Sequence, residues 1–260
     1  MVDKLNVCKL FLIFTLLSFA NAQVKNGDEV ELKDKPAYLV LLKIIRKNIH
    51  NSKSLSEGIC GGIILNEFWV LTAAHCFDSI KYEPMNARKP NENVMRHDIG
   101  REITVVAGDV SEFSKLFSPL STRQERAASY WLPHHEYDGD PWNYSSDIAL
   151  VMVGKKFNFN DHVHPAVIAG IYEHLNKGDN CAVYGWGKRT EGGEAGTNRR
   201  LTRGSVKYLS SKQKYIEFGQ TSNKHKEQAS ASGDSGGPLV CIGINGDSLV
   251  FGLIQSGDHR

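Results

Sequence analysis

The chain has 260 residues, 41% of them hydrophobic and 23% charged, with a formal net charge of +2. That apolar fraction excludes a disordered chain, and the near balance of charge, with no basic stripe, excludes a strong nucleic-acid binder. One apolar run stands out, so a multi-span membrane protein is excluded as well, and 24 Gly against 8 Pro suit a turn-rich β chain better than a helical bundle.

Lys4 and Lys9 precede the apolar run Leu10 to Ala20, which holds 11 residues. A membrane-spanning helix needs roughly 20. Ala20-Asn21-Ala22 places small residues where a signal peptidase reads them, so residues 1–22 are expected to be a secretory leader cut after Ala22. The rest, about 238 residues (260 − 22), is then extracellular and carries no membrane span. Cys8 leaves with the leader. Cys60, Cys76, Cys181 and Cys241 remain, an even number suited to an oxidising compartment. Four cysteines allow three pairings, and no Cys-x-x-Cys pair points to zinc.

Short apolar runs follow in chain order, at Tyr38 to Ile45, Gly61 to Val70, Ile103 to Ala107 and Asp147 to Val153. Cys181 to Tyr184, Ser205 to Leu209, Pro238 to Ile242 and Leu249 to Ile254 complete the set. Each reads as a strand, and the spacing leaves no room for repeated crossover helices. Ala73 to Phe77 fits one helical turn, and the polar stretches Asp78 to Arg101 and Lys188 to Arg200 read as exposed loops. The pattern alone predicts an all-β sandwich or a pair of barrels.

Three segments carry chemistry. Gly233-Asp234-Ser235-Gly236-Gly237-Pro238 sets a Ser among glycines just before an apolar strand. Such a turn can present a hydroxyl beside backbone N–H groups, the combination that acyl transfer requires. Thr72-Ala73-Ala74-His75-Cys76 places an imidazole at a strand end, where a general base is useful. Ser146-Asp147-Ile148-Ala149-Leu150-Val151 heads a strand with one carboxylate, which needs a partner if buried.

Together these segments resemble the trypsin/chymotrypsin-like serine proteases, in the order His, Asp, Ser. The resemblance runs from Val24 to the end of the chain and implies two antiparallel six-stranded barrels with the active site between them. The first barrel is expected at about 24–157, a connection at 158–178 and the second barrel at 179–260. His75 is implied as general base, Asp147 as its orienting partner and Ser235 as nucleophile, with the N–H groups of Gly233 and Ser235 as oxyanion hole. Disulfides Cys60–Cys76 and Cys181–Cys241 are implied. So are protein or peptide substrates, protein protease inhibitors as further partners, a monomer, and no metal or cofactor.

The sequence departs from the family pattern at several points. Val24-Lys25-Asn26-Gly27 stands where the family has its free N-terminus, which would pair with Asp234, but no basic residue precedes Val24. Ala229 occupies the base of the primary pocket, where an Asp would select Lys or Arg, so cleavage after apolar residues is expected. Ala231 and Glu217 stand at two further positions that are often Cys in the family. The strand that meets the substrate backbone reads Gln255-Ser256-Gly257, with Gly257 lining the pocket. Only 25 residues follow Ser235, which leaves the second barrel short of its last strand at the C-terminal end. A non-catalytic homologue acting as a binding or regulatory module is the alternative reading. Asn143-Tyr144-Ser145 is a glycosylation sequon. His134-His135 and His162-x-His164 are expected to be loop and surface residues, and the basic stretches 43–47 and 199–203 solvated faces.

Overall fold

The computed structural model describes residues 18–21, 27–47, 54–77, 101–112, 122–139, 146–187, 200–212, 215–220 and 233–255. Thirteen strands are present among them. They are β1 (Ser18–Asn21), β2 (Asp28–Glu29), β3 (Leu39–Lys47), β4 (Ser54–Ile64), β5 (Trp69–Thr72), β6 (Arg101–Ala107), β7 (Gln124–Pro133) and β8 (Ala149–Val153). The second half carries β9 (Asn180–Gly185), β10 (Thr202–Lys212), β11 (Tyr215–Gln220), β12 (Pro238–Ile242) and β13 (Ser248–Ile254). Two short 3-10 turns, Leu32–Asp34 and Ala74–Phe77, are the described helical elements.

β3, β4, β5, β8, β7 and β6 close into an antiparallel barrel in that order. In the second half β10 pairs with β9 and β11, and β12 pairs with β9 and β13, all antiparallel. β1 lies between β11 and β13, parallel to both, with Ala20 opposite Ile216 and Ile254. The second ring thus takes six strands, and its sixth comes from the N-terminal end, from within the expected leader. The two-barrel expectation is borne out.

The apolar runs are continuous because these strands bury both faces. On β3, Val40, Leu42 and Ile44 fill the first barrel, while Leu39 and Leu41 face the seam between barrels. On β9, Cys181 and Val183 fill the second barrel, and Ala182 and Tyr184 face the seam. Leu150, Val240 and Leu253 enter the same seam from β8, β12 and β13. Each such side chain contributes about 1.5–3 kcal/mol by leaving water, so the barrels are held together by a shared apolar layer.

Some strand expectations change. Gly61 to Val70 is not one strand. Asn66 breaks it, because its side-chain Oδ1 accepts from the N–H groups of Phe68 (2.9 Å) and Trp69 (3.0 Å) and turns the chain. β7 and β11 went unpredicted because their apolar residues are diluted. β7 runs Gln-Glu-Arg-Ala-Ala-Ser-Tyr-Trp-Leu-Pro, and its buried Arg126 reads as a loop residue in sequence. Residues 78–100 and 188–199, the bulk of the two expected loops, lie outside the described residues.

Candidate active site

His75 lies in the 3-10 turn immediately after β5. Thr72 ends that strand fully buried, and its Oγ1 donates to Gly61 O on β4 at 2.7 Å. The disulfide Cys60–Cys76 ties the turn to β4 a second time. Phe77 stacks on Trp131 of β7 with ring centroids 4.7 Å apart. The imidazole therefore stands on a turn anchored to three strands.

Asp147 precedes β8, which pairs with β5 in the register Thr72 opposite Ala149. That pairing sets residue 147 beside residue 75. Ser146 has φ of 58°, a left-handed conformation that a non-glycine residue adopts at a cost of about 1 kcal/mol. Asp147 is fully buried and uses both oxygens. Oδ1 accepts from the His75 backbone N–H at 2.7 Å, and Oδ2 lies 2.6 Å from Nδ1. An ionised carboxylate only accepts, so Nδ1 carries the proton. In the neutral ring Nε2 then keeps its lone pair.

The turn bearing Ser235 docks on the same end of the first barrel. Gly61 N–H donates to Ser235 O at 2.7 Å. Gly236 has φ of 76°, and a Cβ there would lie 2.2 Å from Thr72 Oγ1 and 2.5 Å from Gly61 O. Only glycine lets the turn approach this closely. Ser235 Oγ donates to Gln255 O at 3.2 Å, and Gly236 N–H donates to Ile254 O at 2.7 Å, so the end of β13 backs the turn. Neither the Gly233 nor the Ser235 N–H has an acceptor among the described residues, and Gly233 has φ of 109°. Two such donors on a glycine-bent turn are suited to receive a developing oxyanion.

Asp234 is buried under this turn, and its Oδ1 accepts from Gly187 N–H at 2.7 Å. A Cβ on Gly185 would fall 2.0 Å from that oxygen. The Tyr184-Gly185-Trp186-Gly187 segment is thus glycine-rich because a carboxylate lies against its backbone.

The structure brings His75 and Asp147 into contact and sets the Gly233–Ser235 turn against the same strand ends. Cys181–Cys241 forms across β9 and β12, so both expected disulfides are present. Val24, Ala229, Gly257 and Asn143 lie outside the described residues, and with them the expected N-terminal pairing, the pocket and the sequon. His134 is buried, not a surface residue, because its N–H bonds Ile148 O at 2.8 Å and its Nδ1 accepts from Glu136 N–H at 3.2 Å. His135 packs its ring at a tilt against it, with centroids 4.4 Å apart, and is exposed. No group of three metal-ligating side chains occurs among the described residues. No helix among them is long and apolar enough to cross a membrane.

Sequence reasoning missed Gly61, Thr72 and the Gln255 carbonyl as supports of the site. The Gly61-Gly62 pair was a visible signal, since a Cβ on Gly61 would lie 2.7 Å from Gly237 Cα. The contact joins residues far apart in sequence, and the pair alone does not name its partner.

A family model described as Trypsin matches residues 42–259. Coagulation factor IX of Oryctolagus cuniculus is 30% identical over 218 residues, covering 78% of this chain and 68% of that protein. Granzyme B(G,H) of Mus musculus is 27% identical, covering 97% of this chain and 92% of its own. Duodenase-1 of Bos taurus is 26% identical, with 94% and 86% covered. Among solved structures, one titled Structure of GrC superposes with a TM-score of 0.62 at 23% identity, over 91% of this chain and 89% of that one. Human heparin binding protein superposes with a TM-score of 0.58 at 20% identity, over 85% and 81%. These last two carry the fold alone. With the family match spanning both barrels, and the His-Asp contact and glycine-bent serine turn on one seam, the chain belongs to the trypsin family of serine proteases.

Proposed function

We propose that the protein is a secreted serine endopeptidase that hydrolyses peptide bonds through an acyl-enzyme. The observation that carries this reading is the buried Asp147 carboxylate, 2.6 Å from His75 Nδ1, on the seam where the Ser235 turn docks. Ser235 Oγ attacks the scissile carbonyl carbon, and its proton passes to His75 Nε2. Asp147 holds the ring in orientation and stabilises the imidazolium as it forms. The Gly233 and Ser235 N–H groups receive the negative charge that grows on the carbonyl oxygen. The imidazolium then protonates the leaving amine. Water, deprotonated by the same nitrogen, cleaves the acyl ester and restores the Ser235 hydroxyl.

Further assignments belong to this reading and rest on sequence. The leader is cut after Ala22, which takes β1 out of the second barrel, and the Val24 amine, once freed, pairs with Asp234 to order the turn. Ala229 at the pocket base leaves a bound Lys or Arg without a counter-charge, so apolar side chains are preferred before the cut bond. Asn143 carries a glycan. Proteins or peptides are the substrates of a monomeric enzyme, protein protease inhibitors bind the same cleft, and no metal or cofactor takes part.

A fluorophosphonate probe tests the central claim, since it reacts only with an activated serine. Labelling of the secreted protein that disappears in Ser235→Ala supports the enzyme. A peptide library in which cleavage after Arg dominates would refute the pocket assignment. One observation favours a second reading, a non-catalytic homologue that binds. The Ser235 hydroxyl donates to a backbone carbonyl, Gln255 O, and must turn away from it to meet the imidazole. Absence of labelling in correctly processed protein is the result that reading expects.

A further inference from the structure

The described part of the segment between β6 and β7, residues 108–112 and 122–123, meets the support of the serine turn. Arg123 is its fixed point. The guanidinium is almost fully buried, at 5% side-chain exposure, and four groups among the described residues bind it. Nη1 donates to Asp109 Oδ2 at 3.0 Å and to Ser111 O at 2.9 Å, Nη2 to Glu112 O at 3.1 Å, and Nε to Glu125 Oε1 at 2.7 Å. Asp109 Oδ1 also accepts from Ser111 N–H at 3.0 Å. Residues 109–112 are thus wrapped around one planar cation, which a point charge such as lysine does not reproduce.

Held in this way, Val110 turns its carbonyl across the seam to the second barrel. Val110 O accepts from Trp186 Nε1 at 3.0 Å and from Leu201 N–H at 2.7 Å. Trp186 is 1% exposed, and the next residue, Gly187, gives its N–H to Asp234. Asp234 sits between Gly233 and Ser235, the two N–H donors of the site.

We propose that Arg123 is a positioning residue for the oxyanion turn, acting through the Val110 carbonyl, the Trp186 indole and the Gly187–Asp234 hydrogen bond. The proposal rests on the protease reading for its consequence in catalysis, but its structural content stands apart from it. Without the guanidinium, Ser111 O and Glu112 O lose this donor, and the 109–112 segment, then held by the Ser111–Arg200 bridge, loosens. Val110 O then no longer fixes the indole, and Gly187 no longer presents its N–H at one place. Arg126 supplies the contrast. It is buried three residues further on, within β7, and bonds carbonyls at Lys156 and Glu125, but no bond of its own reaches Val110 among the described residues.

Native-state hydrogen exchange by mass spectrometry on the full chain tests this. The reporters are the bonded amides Gly236 and Gly237. In Arg123→Met and in Trp186→Phe, residues 233–237 should exchange about tenfold faster, the scale of one lost hydrogen bond to or within a buried network. The double variant should exchange no faster than the faster single one, because both changes break one chain of contacts. Arg126→Met should leave exchange at 233–237 as in the unaltered protein. Unchanged exchange in Arg123→Met, or multiplying effects in the double variant, overturns the proposal. Should Arg123→Met not fold, Arg123→Lys takes its place in the cycle with the same criteria. Fluorophosphonate labelling of the same variants separates the two readings. A labelling rate reduced about tenfold with KM for a peptide ester unchanged supports the catalytic consequence. No label on the unaltered protein refutes the protease reading and leaves the exchange cycle to decide the positioning role.

Discussion

Lys35 offers a quantitative test of how this fold tolerates a buried charge. It sits between the 3-10 turn Leu32–Asp34 and β3, at 8% exposure. Its Nζ donates to Leu39 O at 2.6 Å and to Pro36 O at 3.1 Å, which uses two hydrogens, the number a neutral amine has. Burial pushes its pKa down from 10.5 to about 7, with the nearby Asp109 charge acting in the opposite direction. A depression of that size corresponds to roughly 5 kcal/mol against folding when the amine is charged. Below pH 7 folded and unfolded chains both carry the proton, and the cost is fully present. Between about pH 7 and pH 10.5 only the unfolded chain binds it, so stability rises with pH across that window. From pH 7 to pH 9 the gain is roughly 2 kcal/mol. Lys35→Met removes the titration and also two hydrogen bonds, about 1 kcal/mol each. Denaturant midpoints with disulfides intact, taken from pH 6 to pH 9, provide the assay. The Met variant should be more stable at pH 6 by about 3 kcal/mol, and the two curves should converge near pH 9. Parallel curves for the two proteins would refute the reasoning, because Lys35 would then not titrate in the window that its burial implies.

Three further outcomes follow from the geometry. Asp147→Asn removes the acceptor that holds the proton on His75 Nδ1, and labelling or hydrolysis rates should fall by about 10³-fold or more with the thermal midpoint little changed. Gly185→Ala sets a Cβ 2.0 Å from Oδ1, 2.6 Å from Cγ and 2.8 Å from Cβ of the buried Asp234. A loss of about 2–4 kcal/mol in denaturation is expected, together with lost labelling at Ser235. Removal of residues 1–22 takes β1 out of the second barrel and leaves the edges of β11 and β13 unpaired. Binding of an apolar dye and a lower thermal midpoint than the uncut chain should result, and equal midpoints would show that β1 adds nothing to the barrel.

The site was legible where its chemistry is local. Gly233 to Pro238 shows a bent, donor-rich turn in six consecutive letters, and Asp147 heads a strand whose apolar run is plain in sequence. Less was legible where a residue acts on a distant one. Gly61 and Gly236 are needed because two backbones approach across the seam, and no spacing within either segment reveals the other. Gly185 and Gly187 serve a carboxylate some fifty residues further along the chain. β7 and β11 were hidden because a strand on a barrel's rim can carry Arg126 or Glu217, provided that its polar heads find carbonyls or hydroxyls such as Ser210 Oγ.

Residue order by itself determined the class of fold, the chemical groups and the family. Those depend on apolar runs of strand length and on short motifs, which are properties of neighbouring residues. The tertiary structure alone decided which partner each group has. It selected one cysteine pairing out of three, filled the sixth place of the second barrel with Ser18–Asn21, and used both oxygens of Asp147 on one histidine. The physical reason is burial. A cysteine, an open strand edge and a carboxylate must each find a partner once water is excluded, and packing of the two barrels settles which partner is within reach.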